Sequence, residues 1–181
     1  MYTVKQEFRQ TVFYETYINK DKSMPISDES NNLTVQQVST RFLQSYKDDE
    51  FLNIIRKHGQ FAHTLHSGSK IANKILKDNS EVHLKTCIDN PITIASTSIS
   101  KKTISFNECN LELPKDEKER AQILDDRMKT LMHEYIHTLG YKHWKNGNNW
   151  YNRRTAPYVI GQLFLDYVKS KEAAGIHSTK S

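Results

Sequence analysis

Between residues 117 and 139, apolar side chains recur at steps of three and four. Ala121, Leu124, Met128, Leu131, Met132, Tyr135 and Leu139 fall on one stripe of a helix. Pro114, Asp116 and Glu119 form its start signal, with Asp116 as cap and Glu119 in the reciprocal position of a capping box. Lys118, Glu119, Arg120, Asp125, Asp126, Arg127 and Lys129 read as a solvated outer face. The same periodicity predicts helices over about 34–46, 49–57 with Gly59 as terminator, and 69–76. A closing helix over about 156–171 carries Val159, Ile160, Leu163, Phe164 and Tyr167 along one side. β-Branched runs at 81–88, 92–99 and 102–108, separated by Asn-Pro and Lys-Lys turns, read as consecutive strands, and 2–18 as another. Polar stretches at 21–32 and 145–152 read as loops, and the residues from 174 onward as a frayed tail.

These elements predict an α+β domain with a helical first half, a small twisted sheet packed on the 117–139 helix, and a C-terminal helix. With 181 residues and 36% hydrophobic content, the chain is long enough for one domain with its own core, so 1–181 is read as a single unit, expected to be monomeric. No apolar run reaches bilayer-spanning length, and the start lacks the apolar stretch of a signal peptide. The expectation is therefore a cytoplasmic protein, or one exported by a route without such a peptide. The net charge of +5 is compatible with an acidic partner, but the lysines are scattered and form no dense stripe. Cys87 and Cys109 lack metal-knuckle spacing and are either two thiols or one disulfide.

The chemistry is concentrated at the end of the long predicted helix, in His133-Glu134-Tyr135-Ile136-His137-Thr138-Leu139-Gly140-Tyr141-Lys142-His143. Four residues apart on a helix, His133 and His137 project from one face and can share one metal ion. Gly140 can take the left-handed conformation that ends the helix and returns the chain, so that His143 supplies a third imidazole. A shuffled chain of this composition would show the full string only about once in ten thousand, against roughly one in fifty for the short H-E-x-x-H. Three histidines without a fourth protein ligand are the donor set of a catalytic zinc site, and Glu134 stands where a general base is needed. The bland alternative is a pair of ordinary helix histidines followed by a plain glycine stop. His63 and His66 have no acidic partner nearby and read as surface or core histidines rather than a second site.

The string resembles the signature of the metzincin zinc metallopeptidases. The resemblance implies zinc on His133, His137 and His143, Glu134 as general base, and a cleft between the active-site helix and a sheet to whose edge strand a peptide substrate adds. It covers eleven residues. Metzincins also carry a methionine in a turn beneath the zinc, but Met1, Met24, Met128 and Met132 all precede His143. Aligning 155–158 with that turn puts Ala156 in the methionine's place and makes Tyr158 a second catalytic candidate; otherwise Tyr158 is core at the start of the last helix. The string is also similar to that of bacterial zinc endoribonucleases that mature ribosomal RNA, which share the Leu139-Gly140-Tyr141 stretch but normally have glycine where this chain has Glu134. Zinc peptidase is thus the leading expectation, with zinc endoribonuclease and a catalytically silent zinc-binding interaction domain as alternatives. Asp166 as third ligand in place of His143 is a lesser variant. Trp144, Trp150, Tyr151, Arg153 and Arg154 crowd the segment after the third histidine. The tryptophans read first as packing anchors, and an arginine as a possible holder of substrate charge.

Overall fold

The computed structural model describes residues 26–28, 32–88, 93–144 and 150–175. In order, its elements are β1 (Ile26–Asp28), α1 (Leu33–Ser45), α2 (Asp49–Lys57), α3 (Gly68–Lys77), β2 (Val82–Cys87), β3 (Ala95–Ser98), β4 (Thr103–Asn107), a 3₁₀ turn (Glu108–Asn110), α4 (Glu117–Thr138), a second 3₁₀ turn (Asn152–Arg154) and α5 (Ala156–Ala173). The α+β class is as expected, and the helices fall within a residue or two of their predicted bounds. The strand expected over 2–18 lies outside the described residues, as does most of the expected 145–152 loop and of the tail.

Polar side chains set the helix starts. Asn32 Oδ1 accepts from the backbone N–H groups of Thr34 and Val35, Asp48 from Glu50, Ser67 from Lys70, and Asp116 from Glu119 at 2.9 Å. Gly59 does not terminate α2. The helix stops one residue earlier, where His58 turns to extended backbone while its N–H still reaches the carbonyls of Ile54 and Ile55.

The sheet has the order β1-β2-β4-β3. β1 and β4 both run parallel to β2, with Ile26 opposite Val82 and Leu84 opposite Ile104, while β3 runs antiparallel to β4 with Thr97 opposite Ile104. One expectation is corrected here. Within the stretch read as a loop at 21–32, residues 26–28 add a strand to β2, because three residues are too few for the alternation that marks a strand in sequence. The three later strands follow one another along the chain as expected; in the sheet β3 folds back outside β4 and becomes the edge.

The core is built around an aromatic cluster behind α4. Phe42 of α1 stacks on Tyr46 at 4.8 Å between ring centroids and meets Tyr135 of α4 edge-on at 5.5 Å; Phe164 of α5 joins Phe42 at 5.4 Å and Phe51 of α2 at 5.0 Å. Tyr135 is fully buried and donates its hydroxyl to Asp78 Oδ2 at 3.1 Å. A residue inside the histidine string is therefore locked against α1 and the end of α3. Burial along α4 starts later than the apolar stripe implies: Ala121 is exposed, and Arg127, expected in solvent, is buried with its Nε donating to the Asn110 carbonyl at 2.8 Å. The first turns of α4 extend past the core, so their period has nothing to pack against. Among the described residues, no helix is long and apolar enough to cross a membrane.

α5 crosses α4 closely at Gly161, where a Cβ would stand 3.0 Å from the Lys129 carbonyl oxygen and 3.5 Å from His133 Cβ. Gly161→Ala is expected to push α4 back by a few tenths of an ångström at His133 and to cost about 1–3 kcal/mol of stability. Chemical denaturation of the purified variant checks it; an unchanged midpoint would show that the two helices are not in firm contact.

Candidate metal centre

α4 ends in a hydrogen-bond pattern that also builds the site. Gly140 has φ +89°, its N–H donates to the His137 carbonyl at 2.8 Å, and the Tyr141 N–H reaches back to the Ile136 carbonyl at 3.4 Å. This is the paired bonding of a Schellman cap, with Ile136 and Tyr141 both buried across it. The chain emerges turned toward the helix face it has just left. His143 then meets His133 and His137.

The three imidazoles converge. His133 Nε2 lies 3.2 Å from His137 Nε2 and 3.3 Å from His143 Nε2, and one nitrogen from each ring lies within 4.8 Å of the others. His137 Nδ1 faces the Tyr141 carbonyl at 2.6 Å and His143 Nδ1 the Trp144 carbonyl at 3.0 Å. A carbonyl only accepts, so both Nδ1 atoms must carry the proton, and the Nε2 atoms of these rings present bare lone pairs. His133 Nε2–H could satisfy only one of them. A divalent cation satisfies all three: tetrahedral ligation with metal–nitrogen bonds of about 2.0–2.1 Å places ligand nitrogens roughly 3.3 Å apart, close to the spacing seen. The half-buried His133, His137 and His143 can therefore hold a metal ion.

Electrostatics support the neutral, ligating form of the two helical rings. Burial, then the neighbouring His137, His143 and Lys129, push the His133 imidazole down to about 3. His137 is also lowered, by burial first, against the opposing bond to Tyr141. Glu134 is buried on the flank of the trio, where desolvation raises its carboxyl to about 7 against a hydrogen bond from Thr97. Thr97 Oγ1 sits within reach of both the Glu134 carboxylate, at Oε2, and the Glu134 backbone carbonyl at 3.2 Å. Thr97 lies on the edge strand β3. The strand beside the site is thus β3, and not the 102–108 strand nearest α4 in sequence, which lies one position further into the sheet.

Tyr158, on the first turn of α5, packs its ring 4.4 Å from that of His133 and 5.1 Å from that of His143. Its hydroxyl is shifted up by burial first and then by the charge of Glu134, while Arg153 opposes. Asp166 stays exposed three turns along α5 and accepts from Gln162 Nε2 at 2.8 Å, away from the trio. His63 and His66 form no second metal group: His66 Nδ1 pairs with the Tyr141 hydroxyl at 2.9 Å, and His63 Nδ1 accepts from Trp144 Nε1 at 3.2 Å. Trp144 and Trp150 are not buried anchors. They are 67% and 68% exposed. Cys87 and Cys109 are free thiols.

Sequence reasoning missed two residues that position the site. Asn152, fully buried, accepts from the Trp144 N–H and donates to the Trp144 carbonyl, both at 3.1 Å, and so clamps the residue after the third histidine. That carbonyl is the one His143 Nδ1 uses. Thr155 Oγ1 donates to the Asn152 carbonyl at 2.6 Å, and the Ala62 N–H donates to the Arg154 carbonyl at 2.8 Å, fixing the clamp to the body of the fold. A lone Asn in a polar stretch and a Thr in a short strand carry no signal of such roles; only the fold brings Thr97 to Glu134.

No family model, no curated protein and no solved structure matches the chain.

Two outcomes follow from this geometry. Asn152→Ala frees the Trp144 carbonyl and the His143 ring, and is expected to weaken metal binding about 10–100-fold while the chain stays folded, as read by competition with a chromogenic chelator. In metal-free protein, His133 and His137 are held below their unfolded value of 6.5. Below that pH the unfolded chain binds more protons than the fold, so their contribution is present above 6.5 and is lost as pH falls, by up to about 1.4 kcal/mol per pH unit for each ring kept neutral. Urea midpoints between pH 8 and pH 4.5, compared with a His133→Gln variant, check the slope; equal slopes would contradict it.

Proposed function

We propose that the chain is a zinc-dependent peptidase of metzincin type. The carrying observation is the convergence of three imidazole Nε2 atoms beside a buried carboxylate. Three nitrogen donors, joined by no fourth His, Cys, Asp or Glu ligand among the described residues, suit catalytic zinc rather than a closed structural site. When bound, zinc supplies a Lewis acid that polarises a carbonyl and lowers the pKa of water to about 7.

The protein's own groups then have defined tasks. Backbone carbonyls of Tyr141 and Trp144 hold the protons of His137 and His143 on Nδ1, which keeps the ligating nitrogens free. Thr97 holds Glu134 Oε2, so Oε1 is the oxygen that takes a proton from the attacking water and passes it to the departing amine. Held at Oε2, Glu134 would accept that proton as a carboxylate and release it again as the amine departs. The edge strand β3 borders Glu134, and an extended peptide added along it would lie with its backbone across the trio. Tyr158, whose ring packs against those of His133 and His143, would donate a hydrogen bond to the carbonyl oxygen as charge develops on it.

Purified protein should carry one zinc per chain and cleave members of a mixed peptide library, and Glu134→Gln should retain the metal while losing about 10²–10⁴-fold in turnover. Equal cleavage by wild type and Glu134→Gln would refute the mechanism. Cleavage of RNA but not peptides would move the site to nuclease chemistry, and one retained zinc with no hydrolysis of either would leave a binding domain.

A further inference from the structure

A concave site lined by none of the three clustered histidines lies at the end of α4, with His66 in its wall. It is an open cleft of about 720 Å³ between α3, the β3–β4 turn and the end of α4, lined by Lys70, Lys74, Lys77, Lys102, Asp78 and the Leu139–Gly140 turn among others. On α3 the three lysines are four and three residues apart, hence on one face over roughly 10 Å of helix. Lys102 faces them from the turn at φ +49°, a conformation that non-glycine residues rarely adopt.

The cleft's cations outnumber the groups that neutralise them. Asp78, its one acid, is already engaged by the Tyr135 hydroxyl, the Ser80 hydroxyl and Lys102. Lys74 Nζ donates to the Leu139 carbonyl at 2.6 Å and Lys102 Nζ to Ser80 Oγ at 2.7 Å, each using one of its three protons. Lys70 and Lys77 are exposed and pair with no carboxylate among the described residues. Lysines 70 and 74 also help to lower the pKa of His66 at the rim, after desolvation. Four ammonium groups against one carboxylate and the partial charges of two helix ends leave a net positive cleft.

We propose that this cleft binds a small anion bearing two or more phosphate groups, held by the ammonium groups of Lys70, Lys74, Lys77 and Lys102. Lysine is a point-charge partner for phosphate oxygens, and four of them around a concave wall suit clustered charge. The volume falls within the usual range for small-molecule sites. A nucleic-acid strand is the poorer match, since no Phe, Tyr or Trp lines the cleft to stack a base and the cations surround a hollow instead of following a track.

Inorganic tripolyphosphate, titrated calorimetrically into the full chain, tests this. One ion should bind per chain, and Lys70→Glu combined with Lys77→Glu should weaken it at least tenfold, with circular dichroism unchanged because both positions are exposed. Lys118→Glu, at the far exposed end of α4, should leave the affinity within twofold, and so should His143→Ala. Loss in His143→Ala with retention in the lysine variant would place the anion on the metal centre and overturn the proposal. So would equal loss in Lys118→Glu, or no binding at all. A twelve-nucleotide single-stranded RNA that binds more tightly than tripolyphosphate, with a salt dependence calling for more than four phosphates, would make the cleft part of a nucleic-acid surface and overturn the small-anion assignment.

Discussion

Everything at the candidate centre depends on the two hydrogen bonds that close α4 at Gly140. A helix can aim two imidazoles at one point, but a third from the same helix would be displaced by further turns. The left-handed residue reverses the chain within three positions of the last helical ligand. The same reversal brings the Tyr141 carbonyl to His137 Nδ1, so one turn supplies the third ligand's direction and the second ligand's tautomer. An L-residue at φ +89° would be strained by roughly 1–2 kcal/mol even though the space around Gly140 is open. Conformation, not room, requires glycine there.

That turn would be of little use on a mobile helix. Tyr135, one residue from Glu134 and two from each helical histidine, is held by Phe42, Tyr46 and Asp78 on the side facing away from the trio. Gly161 lets α5 approach on another side, carrying Tyr158 to the rings of His133 and His143. On the third side, Asn152 ties the exit segment to the 3₁₀ turn before α5. The histidines are thus placed by packing and backbone hydrogen bonds alone. Contacts that fix the rings apart from any ligand lower the ordering cost of binding an ion.

How much of this was legible in the chain varies with the range of the interaction. Helix bounds, the Asp116 cap, the glycine break and the ligand trio all rest on residues within about ten positions of one another, where spacing converts directly to direction. Thr97 and Asn152 could not be read in that way. Thr97 reaches Glu134 only because β3 folds back to the sheet edge, a pairing across 37 residues decided by which strand fits outside β4. Burial of Arg127 and exposure of Ala121 misled for a related reason: periodicity reports which face a helix offers, not how far along it the core extends. Trp144 and Trp150 were misjudged on type, since large aromatics are usually buried, whereas both of these side chains are exposed.

Two opposing effects decide what the trio accepts. Its position in the last turn of α4 puts positive charge at the negative end of the helix dipole, which favours a proton on His137 and a metal ion alike, by about 0.3–1 kcal/mol and up to ~2 kcal/mol when partly buried. Burial and the mutual proximity of the rings work against the proton, and for His133 they prevail by a wide margin, holding it to about 3. Desolvation does not disfavour a metal in the same way, because the lone pairs that refuse protons become the ligands that replace its hydration shell. The neighbouring carboxylate sharpens the difference, since a charged Glu134 is stabilised by a divalent ion at the trio and destabilised by burial without one. For the two helical rings burial therefore disfavours a proton while leaving their lone pairs available to a divalent cation, which the trio can hold.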